Sequence, residues 1–308
     1  MPRPRLTKPG AERAPFRPDV ILTFTVEEAG ETRLLDFLMA AMPDRKRTTV
    51  KDYLKHNQVM VNGAVTTQWD TPLRRSDTVR VNTSREFQTF RNPRLKIMYE
   101  DDDIIVVNKG YGLLSMGTDR KHEGTAYWLL RDYVKRLDPR NKLFIVHRLD
   151  QQTSGLMVFA RTQKAKEALQ HNWNNMVLER KYVAVTEGAP DPADGEVRSY
   201  LAENSAHEVY STDNPAEGKL AVTRYHTVRT RGKYALVELS LDTGRKNQIR
   251  VHMADLGTPI SGDRRYGGSA SPAHRLALHA QTLRFIHPVT RRDMNFSCGL
   301  PVSFSKLI

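Results

Sequence analysis

The spacing of short apolar runs beyond residue 95 limits the possible folds more than any other feature of this sequence. Strand-like runs fall at Ile104–Val107, Phe144–Val146, Leu156–Phe159, Tyr182–Val185 and Tyr234–Leu241. Helical periodicity separates only some of them: Ala126–Leu137, Lys164–Met176 with Leu169, Trp173 and Met176 on one face, and Asn247–Leu256 closed by Gly257. The runs are too clustered and the turns too short for a regular strand–helix–strand series. An α+β domain follows for residues 96–308, built on a largely antiparallel mixed sheet flanked by helices.

A different pattern precedes it. Leu34, Leu35, Leu38 and Met42 recur at helical spacing, and Pro43 ends that helix. Thr48 or Thr49 is suited to cap a second helix with Val50, Tyr53 and Leu54 inward. Asn62-Gly63 between apolar runs predicts a hairpin, and Thr78–Val81 a further strand after the Ser76-Asp77 turn. Together these make a small α/β domain over residues 19–84. Residues 85–95 are polar, lack periodicity and read as a linker; residues 1–18 read as a disordered basic arm.

Charge narrows the partners. Lys and Arg number 48 against 35 Asp and Glu, a net +13, which favours a polyanion and above all nucleic acid. The single cysteine, Cys298, permits neither an intramolecular disulfide nor a thiolate metal cluster and fits a reducing compartment, hence the cytoplasm. No apolar run has membrane-spanning length, and the N-terminus lacks the apolar stretch of a secretory signal, so no membrane partner is expected.

One segment concentrates the chemistry: His147-Arg148-Leu149-Asp150-Gln151-Gln152-Thr153-Ser154-Gly155-Leu156. A strand delivers a polar cluster into a tight turn, and a Gly-led apolar strand leaves it. A lone Asp at such a junction is more often a turn former or an ion-pair partner. The whole segment, however, resembles without a break the signature His-Arg-Leu-Asp-x-x-Thr-Ser-Gly-Leu of RluA-type pseudouridine synthases. The resemblance implies that Asp150 is the essential aspartate and that Arg148 helps hold the displaced nucleotide. Lys181-Tyr182 is similar to the family's next motif, with Tyr182 as the ring that stacks on the target base. Thr243–His252 is similar to the third, which implies that Arg250 pairs with the catalytic aspartate and that Arg245 and Gln248 are among the substrate contacts. The similarity continues through Leu256-Gly257, Gly262-Asp263, Tyr266-Gly267 and Leu276–Ala280, so it spans roughly residues 96–308.

Three positions depart from the family pattern. Gly110 replaces the usual proline after Asn108-Lys109, Met116 stands near a usual histidine, and Asn247 replaces the commonest histidine before Gln248. Loss of the proline predicts a looser loop.

The implied reaction breaks the N1–C1′ bond of uridine and joins C5 to C1′ with no redox change. No cofactor and no metal are expected: there is no Gly-rich phosphate loop and no ligand set, and His147 reads as a hydrogen-bonded structural residue. Asp150 must be ionised, which a neighbouring guanidinium favours. It can then attack the sugar, add to the pyrimidine or remove a ribose proton. A base inside folded RNA must first be extruded, which suits a stacking ring and a filling arginine.

The N-terminal module resembles the small RNA-binding domain shared by a small-subunit ribosomal protein, tyrosyl-tRNA synthetases and many of these synthases. Arg45, Lys46, Arg47, Lys51 and Lys55 are its candidate phosphate contacts. The expected function is uridine isomerisation in structured RNA, with large-subunit ribosomal RNA ahead of tRNA by family analogy. Two alternatives stay open: a non-catalytic RNA-binding or ribosome-assembly factor on the same fold, and a glycoside hydrolase, which needs two carboxylates across one sugar.

Overall fold

The structure, a computed structural model, describes residues 20–27, 32–117 and 123–308; the basic arm expected over residues 1–18 lies outside them. The chain divides into two compact units. The first ends at Thr89 and takes in Arg136–Asp138; the second comprises Phe90–Lys135 and Pro139–Ile308.

The first unit runs β1 (Ile21–Thr25), β2 (Thr32–Arg33), α1 (Leu34–Ala41), α2 (Arg47–Lys55), β3 (Val59–Val61), β4 (Ala64–Val65), β5 (Pro72–Leu73) and β6 (Thr78–Asn82). Its sheet has the order β1-β6-β3-β4, every pair antiparallel. Asn62 and Gly63 both adopt positive φ, 49° and 82°, the geometry a two-residue hairpin turn demands. Leu34, Leu38, Val50, Leu54, Val59, Val79 and Val81 fill the core. α2 starts at Arg47, before Thr48 and Thr49, with Lys46 in extended backbone at its N-cap and no side-chain cap. The turn after Pro43, closed by Arg45 N–H to Met42 O (3.0 Å), brings the chain into helical geometry early. Neither threonine is therefore the cap.

The second unit continues through β7 (Leu95–Glu100), β8 (Ile104–Lys109), α3 (Ala126–Leu137), β9 (Phe144–Ile145), β10 (Ser154–Ala160), α4 (Gln163–His171) and α5 (Trp173–Met176). It ends with β11 (Val177–Glu187), β12 (Asp194–Glu203), β13 (Val209–Thr212), β14 (Lys219–Arg231), β15 (Tyr234–Leu241), α6 (Gln248–Asp255), β16 (Leu278–Ile286) and β17 (Asp293–Ser297), then a 3-10 turn at Val302–Lys306. One sheet runs β13-β12-β14-β15-β11-β16-β10-β8-β7, with β17 beside β16 and β9 beside β10. Among the described pairs only β10 and β16 are parallel, so the sheet is mixed and largely antiparallel. The helix expected over Lys164–Met176 is broken at Asn172, where the backbone leaves helical geometry (φ −115°, ψ 27°).

β10 is buried along its whole length, between β8 and β16. Gly155 makes the parallel seam possible: its φ is +120°, and a Cβ there would lie 2.2 Å from Ala280 O. The segment that enters β10, His147–Thr153, is thereby held at the end of a rigid strand.

Candidate active site

Asp150 sits at the mouth of β10, half-buried. Its turn is clamped by the loop that follows β8. Ser115 Oγ donates to Leu149 O (2.6 Å) and accepts Leu149 N–H (3.1 Å). Gly112 N–H donates to Gln151 O (3.0 Å), Gln151 Nε2 returns a bond to Gly112 O (3.2 Å), and Thr153 N–H closes onto Asp150 O (3.1 Å). The backbone of Asp150 is fixed on both sides, while its carboxylate accepts no hydrogen bond from the described residues. Asp150 lines a cavity of about 490 Å³ and a second of about 630 Å³.

Two cations shape its field. Lys109, fully buried at the end of β8, donates to Leu113 O (2.8 Å) and more weakly to Gly110 O (3.3 Å) and Gln151 O (3.4 Å). Burial pushes its ammonium down to about 7; the negative charge of Asp150 opposes that fall and Arg275 adds to it. Arg250, on α6, is held bidentately by Asp263: Nε to Oδ2 and Nη2 to Oδ1, both 2.7 Å. Its Nη1 donates to Asn247 Oδ1 (3.1 Å), and the guanidinium lies 4.9 Å from the Tyr266 ring centroid. Burial works against its charge, but the bonds and charge of Asp263, with Asp150 and Tyr266 adding, raise its pKa above the ordinary value. The carboxylate paired with Arg250 is thus Asp263, and Asp150 feels this arginine through space. A buried arginine on a helix buried from Gln248 to Met253 needs a carboxylate partner, and the Gly262-Asp263 stretch supplies it.

The remaining expected residues separate by what their polar groups already do. Tyr182, on β11, lines the first cavity, and its hydroxyl meets no partner among the described residues. Burial pushes its phenol up to about 12, opposed by Arg180 and reinforced by Asp150, so the ring is neutral at physiological pH. Arg148 is exposed at the same cavity, its side chain unpaired among the described residues. Arg245 lines it too, one nitrogen held by Leu220 O (3.0 Å). Gln248 differs. Its Oε1 accepts from Thr243 Oγ1 (2.8 Å) and Arg245 N–H (3.0 Å), and its Nε2 donates to Val222 O and Thr223 Oγ1 (both 2.9 Å). With its amide fully engaged, Gln248 shapes the loop that carries Arg245 and has no donor left for a substrate.

Three further features were not legible in the sequence. Arg180 and Trp173 line the first cavity, the guanidinium 6.0 Å from the indole centroid and bonded to Leu241 O (3.1 Å). Gly110 does not loosen its loop: its N–H, which a proline would lack, donates to Arg94 O at 2.7 Å. Asn247 takes the left-handed backbone (φ 55°) that starts α6, a conformation asparagine tolerates. As expected of a structural residue, His147 accepts Val158 N–H at Nε2 (3.0 Å) and packs 4.7 Å from Trp173; burial, with Arg180, pushes its pKa down to about 3.

Among the described residues, no three His, Cys, Asp or Glu side chains converge as a metal site, and no helix is long and apolar enough to cross a membrane. Arg45, Lys46, Arg47, Lys51 and Lys55 lie in the first unit, all exposed. Arg47, Lys51 and Lys55 follow one another at four-residue intervals along α2, in an exposed stripe beside the buried Val50, Tyr53 and Leu54.

Residues 103–255 match the family described as RNA pseudouridylate synthase. Over 288 residues the sequence is 34% identical to the uncharacterized RNA pseudouridine synthase YlyB of Bacillus subtilis, covering 92% of this chain and 95% of that one. It is 33% identical to ribosomal large subunit pseudouridine synthase D of Escherichia coli K12, covering 94% of each. Among solved structures it is similar to human RNA pseudouridylate synthase domain containing 4, with a TM-score of 0.57 and 28% identity over 69% of this chain and 92% of that one.

Proposed function

The chain belongs to the RNA pseudouridylate synthase family, and we propose that it isomerises uridine in large-subunit ribosomal RNA in the cytoplasm, with Asp150 as the reacting group. One observation carries the assignment of the site: Asp150 presents a carboxylate free of hydrogen bonds from the described residues, on a clamped backbone, as the one acidic residue in the described lining of a cavity that also holds aromatic, apolar, neutral polar and cationic side chains.

The first cavity suits an extruded uridine. Tyr182 offers a neutral ring for stacking and Ile249, Leu241 and Leu278 an apolar surround. Arg148, Arg180 and Arg245 are placed for phosphate or for filling the vacated stack. Breaking the N1–C1′ bond leaves negative charge on the detached pyrimidine and positive character at C1′; re-attack from C5 forms the C–C bond, after which C5 gives up its proton and N1 takes one up, so that the product is an isomer of the substrate. An ionised Asp150 serves this sequence by attack on the sugar, by addition to the pyrimidine, or by removing a ribose proton. Arg250 and Lys109 are the basic groups whose charge interacts with that of Asp150. Arg250 therefore acts on Asp150 by field and not by a direct ion pair.

A glycosidase is disfavoured on the same geometry. The described lining of the first cavity contains one carboxylate, Asp150, and Asp263 in the second is tied to Arg250. In the first unit, Arg45, Lys46 and the Arg47–Lys51–Lys55 face form a phosphate-binding surface that positions RNA without reading its sequence. Ribosomal RNA is preferred to tRNA because the Escherichia coli relative of nearly equal length is named for the large subunit. Pseudouridine mapping of total RNA from cells with and without this protein tests the reading. Loss of pseudouridine at large-subunit positions is expected; loss confined to tRNA, or no loss, contradicts it.

A further inference from the structure

The second cavity adjoins the first at Asp150 and Arg250 and includes Asp263, the partner of Arg250, yet most of its other walls have no part in the isomerisation. They come from three places: Tyr111 in the loop after β8, Gln151 and Gln152 at the variable positions of the Asp150 motif, and Arg264, His274 and Arg275 before β16.

Their unsatisfied groups define what fits. Arg264 is exposed and has no hydrogen-bond or ion-pair partner among the described residues. Gln152 is likewise exposed with its amide unengaged, whereas Gln151 is tied to Gly112. Tyr111 is half-buried, and the Arg275 guanidinium stands 4.8 Å from its ring centroid. Arg275 is itself fixed by Ser154 Oγ (2.6 Å) and Leu278 O (3.2 Å), so the tyrosine ring rests on an immobile support. A supported aromatic ring, a free guanidinium and a free amide in one cavity match the three parts of a nucleotide. Bases stack on aromatic rings, phosphates bind guanidinium groups, and side-chain amides bond base edges.

We propose that this cavity is the subsite for the nucleotide adjoining the target uridine, with Tyr111 as its stacking platform, Arg264 as a phosphate contact and Gln152 as a reader of the base edge. The proposal rests on the first cavity being the uridine site. It makes the residues after Asp150 determinants of sequence context: the same carboxylate acts fastest where the neighbouring base fills this subsite.

The test uses the full-length enzyme and a stem-loop transcript copied from a uridine identified by pseudouridine mapping. The base on the 5′ or the 3′ side of that uridine is removed in turn, leaving an abasic sugar. Single-turnover kcat/KM is measured for wild type and Tyr111→Leu, which keeps apolar packing but not the ring, with melting temperatures to verify folding. On intact RNA, Tyr111→Leu should lose about 5- to 150-fold, the range of base–aromatic stacking. At one of the two neighbours the abasic RNA should cost wild type the same factor and cost Tyr111→Leu nothing more. If the two losses multiply at both neighbours, or Tyr111→Leu matches wild type on intact RNA, the subsite is refuted. Gln152→Ala, a surface change, gives a second reading: it should flatten the preference among the four bases at the coupled position, and an unchanged preference removes Gln152 as the reader. Failure of wild type on the intact stem-loop instead overturns the uridine reading itself.

Discussion

Replacing Asp263 with asparagine should unhinge Arg250 and, through it, the reacting carboxylate. The pair is deeply buried, with Arg250 8% and Asp263 1% exposed, and both its bonds are 2.7 Å long. Removing one partner of a buried pair costs about 3–5 kcal/mol, because the other charge is left uncompensated. For a unit of this size each kcal/mol moves the melting temperature by about 2–4 °C, so a fall of roughly 6–20 °C is expected. The freed guanidinium has one other carboxylate within its field, Asp150. A direct ion pair there would occupy the group that must react, and the single-turnover rate at 25 °C should fall at least about 10-fold, or 1.4 kcal/mol, in protein that is still folded. The double variant Asp263→Asn with Arg250→Met should recover much of the stability, since apolar replacement of a buried pair is often neutral, but not the rate. Calorimetry and single-turnover assays on the three proteins decide the matter. A melting temperature within about 2 °C of wild type together with an unchanged rate for Asp263→Asn would refute the reasoning.

Other expectations follow from single residues. Tyr182→Phe should keep substantial RNA binding and Tyr182→Leu should lose about 1–3 kcal/mol, read by filter binding; a Phe variant that binds normally but does not turn over would assign the hydroxyl to proton transfer. Changing Arg47, Lys51 and Lys55 together to glutamine should reduce the slope of log affinity against log salt by about 0.7–0.9 for each phosphate no longer neutralised, and an equal slope would remove α2 from the RNA surface. Lys109 titrates near 7 in the folded chain against 10.5 ordinarily, so between those values the unfolded chain binds the extra proton. Its contribution to stability should therefore rise with pH across that window by up to about 1.4 kcal/mol per unit, and Lys109→Met should lack that rise in urea midpoints taken at pH 7 and 9; parallel pH slopes for the two proteins would contradict it.

What could be read in the sequence was whatever depends on short-range pattern. Asn62-Gly63 specifies its hairpin locally, and Leu34, Leu35 and Leu38 specify α1. β12, β14 and β16 escaped because their apolar runs are short: in β14 the consecutive buried Ala221, Val222 and Thr223 give way to exposed Arg224 and His226, and its last four residues are exposed. The motif around Asp150 was legible because its residues are contiguous. The partners of its members were not, since the chain brings them together only through the sheet. Asp263 for Arg250, the bonds from Gln248 Nε2 to Val222 O and Thr223 Oγ1, and Arg94 O for Gly110 are all consequences of tertiary contact. The departure at Gly110 shows the limit plainly: local propensity predicts a looser loop, and one backbone bond reverses the outcome.

The most direct test is Asp150→Asn in the full-length protein, assayed under single-turnover conditions on the mapped stem-loop, with RNA affinity measured in parallel. The amide keeps the shape of the side chain and removes the charge on which each route of attack depends. Because the Asp150 carboxylate holds no hydrogen bond to the described residues, the fold and the RNA affinity should be nearly unchanged. Pseudouridine formation should fall below detection with binding intact; a wild-type rate in Asp150→Asn would place the reacting group elsewhere.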